Sequence, residues 1–150
     1  MLLGKLEAGF PWGVLLVTDE GSTELVPEWA SDDEQVSHGE SVAVLRVMHE
    51  DEGDVLVRVW DDANAARGNV VFRGSLNLES GVLRVSDALG AGVRAIPTTP
   101  GWTDVVIYTD AATEPTRVDV VVAAPGGPGA PGQLPSTPSS GRAEPVESSW

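Results

Sequence analysis

Apolar residues recur at every second position in short runs along this chain, and turn-forming residues separate the runs. That period of two is the mark of β-strands with one face buried. Residues 12–18 predict a first strand, ended by Asp19-Glu20-Gly21-Ser22. A short extended piece is expected over residues 24–27. Residues 28–39 read as polar and irregular, with one helical turn over residues 31–36. Ser31 is its N-cap and Glu34 holds the capping-box position.

Residues 41–48 alternate, with Val42, Val44 and Met48 sharing a face. Residues 55–60 put Val55, Val57 and Val59 on one side and Leu56, Arg58 and Trp60 on the other. The acidic stretch Glu50-Asp51-Glu52-Gly53-Asp54 lies between these runs, so the two read as a hairpin with a long loop. Residues 61–69 form a loop. In residues 70–78, Phe72, Leu76 and Leu78 share parity, with Gly74 between them on the same face. A glycine there marks a bulge or a close approach of another backbone. Glu79-Ser80-Gly81 is a tight turn into residues 82–86 and predicts a second hairpin. Residues 93–96 form a short strand stopped by Pro97. Residues 103–109 and 116–122 form the last pair.

About eight strands in roughly 120 residues, with a turn every 8–12, predict an all-β protein. The expected architecture is an antiparallel two-sheet β-sandwich. No βαβ rhythm and no long helical pattern competes with it. The expected domain covers residues 1–124. From Pro125 onward, Pro, Gly and Ser make up 16 of 26 residues. That composition cannot bury enough apolar surface to offset its ordering entropy, so residues 125–150 are expected to be a disordered tail. Trp150 at its end reads as an exposed aromatic or as a docking anchor.

Composition sharpens this picture. Val and Leu dominate the apolar set, and aromatics are only 5 %, so the core is expected to be aliphatic. Cysteine is absent, which removes disulfides and thiolate zinc sites. Glu7 and Pro11 interrupt any signal-peptide core. No apolar stretch approaches the roughly 20 residues of a membrane helix. A soluble, cytoplasmic protein is the economical expectation.

Charge narrows the partners. The chain holds 23 acids against 9 bases, a formal −14, and −13 remains when residues 125–150 are set aside. Such a domain repels nucleic acid and anionic membranes and attracts basic surfaces. The acids gather between strands, at Asp32, Asp33 and Glu34, at Asp51 and Glu52, and at Asp61 and Asp62.

Chemistry was sought in the same segments. His38 and His49 stand in no catalytic motif, and neither a nucleophile elbow nor a phosphate-binding glycine loop occurs. The run from Glu50 to Asp54 lacks the order of a calcium loop and reads as a solvated turn. With so many acids, a glycosidase-like pair of carboxylates carries no information. No cofactor or metal is expected. Trp12, Trp29, Trp60 and Trp102 read as core or rim residues, with carbohydrate binding as the alternative.

Three segments resemble a known family. They are Trp29-Ala30-Ser31-Asp32-Asp33-Glu34 ahead of Gly39-Glu40-Ser41-Val42, the stretch from Phe72 to Val85, and Pro100-Gly101-Trp102-Thr103-Asp104-Val105-Val106-Ile107-Tyr108. In these the chain resembles the DNA-entry nuclease inhibitor (competence protein J) family and related small actinobacterial proteins. The resemblance implies a small β-sandwich without catalytic residues that binds a protein, inhibition of a nuclease being one such role.

The leading expectation is therefore a non-enzymatic acidic domain that binds a basic protein such as a nuclease or toxin, as an inhibitor or immunity-type factor. The residues expected to carry that contact are Asp32, Asp33, Glu34, Asp51, Glu52, Asp61 and Asp62. Two alternatives stay open. One is a ligand-binding or enzymatic β-domain with a pocket lined by Trp60, Trp102 or Tyr108. The other is a structural subunit of a larger assembly.

Overall fold

The computed structural model describes residues 1–29, 31, 34–90 and 93–122. The expected disordered tail and Trp150 lie outside the described residues, as do Asp32 and Asp33. Ten strands form among the described residues: β1 (Leu2–Ala8), β2 (Val14–Asp19), β3 (Val36–His38), β4 (Val42–Arg46), β5 (Val55–Trp60), β6 (Asn69–Leu78), β7 (Val82–Asp87), β8 (Arg94–Pro97), β9 (Gly101–Thr109) and β10 (Arg117–Val122). They make two five-stranded sheets, ordered β1-β5-β10-β9-β6 and β3-β4-β2-β7-β8. The expected two-sheet all-β sandwich is the observed fold. Every pairing is antiparallel except β10 with β5, which is parallel.

Alternation builds the core. Val55, Val57 and Val59 of β5 face inward, as do Val118, Val120 and Val122 of β10 and Val105 and Ile107 of β9. Leu15 and Val17 of β2, Leu83 and Val85 of β7, and Ala43 and Leu45 of β4 meet them from the other sheet. Phe10, fully buried, closes one end. The predicted parity of β6 holds, since Phe72, Leu76 and Leu78 are all buried. Its bulge falls between Val70 and Phe72, not at Gly74. Nor does another backbone approach Gly74 closely: what it makes room for is a side chain, the Phe72 ring, 2.9 Å from where a Cβ would stand.

The structure corrects several local expectations. β1 escaped the pattern because its own register shifts between Leu2 and Gly4, which breaks the alternation. Residues 24–27 form no strand. The expected helical turn reduces to a hydrogen bond from the Glu34 N–H to the Ser31 carbonyl at 3.2 Å, and β3 starts two residues later. The two expected hairpins, β4 to β5 and β6 to β7, are not hairpins. Each pair is split between the sheets, so residues 47–54 and 79–81 are cross-sheet connections. A turn signal tells where the chain reverses, and is silent on which sheet receives the next strand.

β4 explains one of these errors. The core takes Ala43, Leu45 and Val47, while Val42 and Val44 are buried on the opposite face. Trp29 covers that face, lying over the Arg46 guanidinium at 4.1 Å. The Arg46 Nε in turn donates to the Glu34 carbonyl at 2.7 Å. A strand buried on both faces loses its alternation.

The second cross-sheet connection is fixed by Asp19, an end-of-strand residue that is buried, not a solvated turn acid. Its Oδ1 accepts from the Ser80 N–H at 3.0 Å and the Ser80 hydroxyl at 2.6 Å. The first strand-to-strand link, between β1 and β2, is a 3-10 turn at Pro11–Gly13 with Trp12 at φ 58° and Gly13 at φ 64°. Only glycine suits position 13, because a Cβ would also meet the Val47 carbonyl oxygen at 2.6 Å. Gly13→Ala is expected to lower unfolding stability by about 1–3 kcal/mol, read as a shifted urea midpoint with unchanged slope.

Candidate partner-binding surface

β5 separates the expected acids into two groups. Asp51 and Glu52 precede it, in a 3-10 turn at Glu50–Glu52. Asp61 and Asp62 follow it. Six strand residues at roughly 3.3 Å each put these groups about 20 Å apart, at opposite ends of the sandwich. The five expected acids among the described residues therefore do not form one face.

At the first end three connections come together. The Glu50 N–H donates to the Phe10 carbonyl at 3.1 Å, and the Met48 N–H donates to the Pro115 carbonyl at 3.1 Å. Residues 9–13, 48–54 and 110–116 thus form one surface. It exposes Glu50, Asp51, Glu52, Asp54, Asp110 and Glu114. Glu34 joins this end, because the neighbouring Gln35 donates its side-chain amide to the Ala111 carbonyl at 3.4 Å. Of the expected partner-binding residues, the structure brings together Glu34, Asp51 and Glu52.

Local chemistry shapes this acidic end. The His49 Nδ1 accepts from the Asp51 N–H at 3.0 Å and caps the short turn. A hydrogen bond with the Glu114 carboxyl raises the Glu52 pKa, and the Glu114 charge adds to the effect. Two carboxyls this close hold a proton between them more readily than either would alone. Burial would push the Asp110 carboxyl up, but the Thr116 hydroxyl and the Thr116 and Arg117 N–H groups hold it below the usual range. The Thr116 hydroxyl donates to Asp110 Oδ2 at 2.6 Å.

The same end carries Trp12, 66 % exposed and in left-handed backbone. Left-handed conformation in a bulky residue is costly and gathers at functional positions. Trp12, Glu50, Asp54, Asp110 and Glu114 were missed as site residues. Pro11-Trp12-Gly13 carried a usable signal, since a Pro-X-Gly triplet places its middle residue in a turn.

Asp61 and Asp62 have a different occupation. They accept from the Met1 amino group at 2.6 and 2.7 Å. The amine, with help from the Asn64 N–H, lowers the Asp62 pKa. Glu24 is likewise spent internally. Its carboxylate accepts from the Ser41 N–H and hydroxyl, both at 2.7 Å, and from the Glu40 N–H at 3.0 Å. These bonds, those from Ser41 foremost, lower its pKa.

The deepest acid is Asp119, in the middle of β10 and fully buried on the outward side of the first sheet. Arg58 grips it with Nε at 2.8 Å and Nη2 at 2.9 Å. The Trp60 indole donates at 3.1 Å and the Arg67 N–H at 2.8 Å. Burial would push the Asp119 carboxyl up; the bonds from Arg58, Arg67 and Trp60 outweigh it and hold the carboxyl low. Trp60, Trp102 and Tyr108 share this outward face by strand parity. Trp60 is committed to Asp119, and Trp102 is 62 % exposed. Among the described residues no group of three or more His, Asp or Glu side chains could hold a metal ion.

No protein-family model and no curated protein matches this chain. Among solved structures it is similar to ComJ, inhibitor of the DNA degrading activity of NucA, from Bacillus subtilis. The TM-score is 0.65 at 7 % identity, over 83 % of this chain and 97 % of that one. A second similar structure is described as crocagin biosynthetic gene J, with a TM-score of 0.49 at 16 % identity, over 81 % of this chain and 94 % of that one. At 7 % identity the likeness to ComJ is one of fold. It agrees with the resemblance carried by the three sequence segments.

Asp119→Ala leaves Arg58 and Trp60 without their acceptor, and is expected to cost about 3–5 kcal/mol in urea unfolding. Asp119, Asp110 and Glu24 all sit low in the folded state. Their stabilisation is complete above the unfolded carboxylate value near about 4 and is lost as pH falls through the lower folded values. Acid unfolding followed by tryptophan fluorescence is expected below about pH 4, with a shallower pH dependence in Asp119→Asn.

Proposed function

We propose that this chain is a non-enzymatic binding domain whose acidic end docks a basic protein, and that the partner is a nuclease held in an inhibited state. The observation that carries the reading is the exposed Trp12 at the same end of the sandwich as the exposed Glu50, Asp51, Glu52, Asp54, Asp110 and Glu114. Interfaces concentrate their energy in an aromatic anchor ringed by polar groups. The acids speed encounter with a cationic groove by roughly 10–10³-fold at low salt. A nuclease groove is such a surface, because it must hold phosphates. ComJ, similar in fold, is described as inhibiting the DNA degrading activity of NucA.

Within this reading Asp51 and Glu52 keep the role expected of them, and Glu34 borders the surface. Asp61 and Asp62 lie at the far end and stand outside it. The Glu52–Glu114 pair adds a pH dependence. Glu52, its pKa raised by the Glu114 carboxyl, loses its proton as pH rises, so the negative charge offered to the partner grows.

The test is a DNA-degradation assay of basic nucleases with the full chain added at equimolar concentration. Inhibition of at least one is expected at 50 mM salt, weakening as salt is raised. Trp12→Ala is expected to weaken that inhibition by roughly 30-fold. Glu50→Lys with Glu114→Lys is expected to slow association more than it speeds release. If no basic nuclease is inhibited or bound even at low salt, the reading is wrong.

A further inference from the structure

A β-sheet edge exposes unpaired N–H and C=O groups, and folded proteins usually guard it. Three of the four edges here are guarded. On β1 the Arg94 Nε donates to the Lys5 carbonyl at 2.8 Å, and Ile96 packs against Gly4. β3 is only three residues long. On β8 the Thr98 N–H turns inward to the Gly81 carbonyl at 2.8 Å. Alternation then turns Pro97 outward, where it has no N–H to offer.

β6 differs. It is ten residues long and bonds only to β9. The Asn77 N–H points away from β9 and donates to the Glu40 carbonyl of the other sheet at 2.6 Å. In an antiparallel strand, outward and inward residues alternate. Ser75 and Arg73 therefore also direct N–H and C=O outward, roughly 6.8 Å apart. Among the described residues these groups have no partner.

A carboxylate stands beside this edge. Asp104 lies opposite Ser75 in the β6–β9 ladder. Its Oδ1 accepts from the Ser75 hydroxyl at 3.2 Å. Its neighbours strip water from it and push its pKa up, against the pull of that hydrogen bond. No cation lies within ion-pair distance of it among the described residues. Ser75 is small, so a long side chain arriving from beyond β6 can cross it to reach Asp104.

We propose that the Arg73-Gly74-Ser75 edge of β6 takes up an extended segment of a partner protein as an added strand, with a lysine or arginine of that segment laid across Ser75 onto Asp104. Main-chain bonds supply the affinity of such a mode and side-chain placement the specificity. Charge selects the occupant. A second copy of this chain brings a net −14 towards Asp104, which Arg73, exposed two residues from Ser75 on the same face, leaves without an ion pair. A cationic segment meets the opposite condition. The inference rests on the protein-binding reading above and adds to it a second point of contact.

The probe is a capped nine-residue peptide, Thr-Val-Thr-Val-Lys-Val-Thr-Val-Thr, added to the isotopically labelled full chain. Amide hydrogen exchange at Arg73 and Ser75 is expected to slow at least tenfold, with no change at Ala95. Methylating alternate peptide nitrogens is expected to abolish the effect. Replacing the peptide lysine by glutamate is expected to weaken binding at least tenfold, and Asp104→Asn is expected to narrow that difference. Unchanged exchange at Arg73 and Ser75 overturns the proposal. So does equal binding of the methylated peptide, or equal binding of lysine and glutamate peptides to the native chain. Slow exchange at both amides before any peptide is added means that a second copy or the chain's own terminus fills the edge, and overturns it too. A nuclease inhibited without peptide binding leaves the proposed function intact, whereas peptide binding with no nuclease inhibited leaves the edge intact.

Discussion

One buried carboxylate holds the first sheet together where its topology is weakest. β5 and β10 run parallel, and no short turn can join parallel strands. Asp119 sits across that pairing and binds Arg58 and Trp60 of β5 together with the Arg67 N–H of the loop that follows. The bidentate Arg58 contact supplies geometry as well as charge. Arg117 stands 3.9 Å away on the same strand with its Nε unpartnered, so the site is net cationic around a single anion. A buried charge with four donors is stable only as a complete set. That makes residues 58–67 and 117–119 one unit, although residues 68–116 lie between them.

The remaining acids divide by whether the fold has already used them. Asp19, Glu24, Asp110 and Asp119 bind N–H groups, hydroxyls or a guanidinium, and so act as parts of the framework. Asp61 and Asp62 hold the amino terminus. What is left over is concentrated around the 3-10 turn at Glu50–Glu52 and its neighbour, the connection from β9 to β10. Net charge alone would treat all of these as equal. The surplus that can meet a partner is smaller than −14, and its densest group lies at one end.

The strand pattern was legible wherever one face is buried and the other wet. β5 and β6 are of this kind, and alternation put Val55, Val57 and Val59 on one face and Phe72, Leu76 and Leu78 on another, the faces that the core takes. β4 was misread in its role because Trp29 and the segment before it cover its outer face, so both parities are apolar. β1 was missed because a register shift inside it breaks the period. Sheet membership was legible only in the last pair, β9 with β10. A Ser-Gly turn closes a hairpin or hands the chain to the opposite sheet with the same residues, and Asp19 decides between these from sixty positions away. The site followed the same rule. Acidic runs marked Asp51 and Glu52 correctly as surface, but their neighbours Asp110, Glu114 and Trp12 come from distant loops that only the closed sandwich unites.

The parallel pairing of β5 with β10 also sets an order of events. β5 lies between β1 and β10. β1 can pair with it early, since both belong to the first sixty residues. Its other edge stays bare until residues 117–122 arrive, with Val55, Val57 and Val59 still open to water. Closing so long a loop carries its entropic cost before any contact rewards it, which places such a chain among slow folders of non-local topology. Arg58 beside that bare edge has a second value during this interval: a charge on an unpaired strand discourages the wrong neighbour until Asp119 comes to neutralise it.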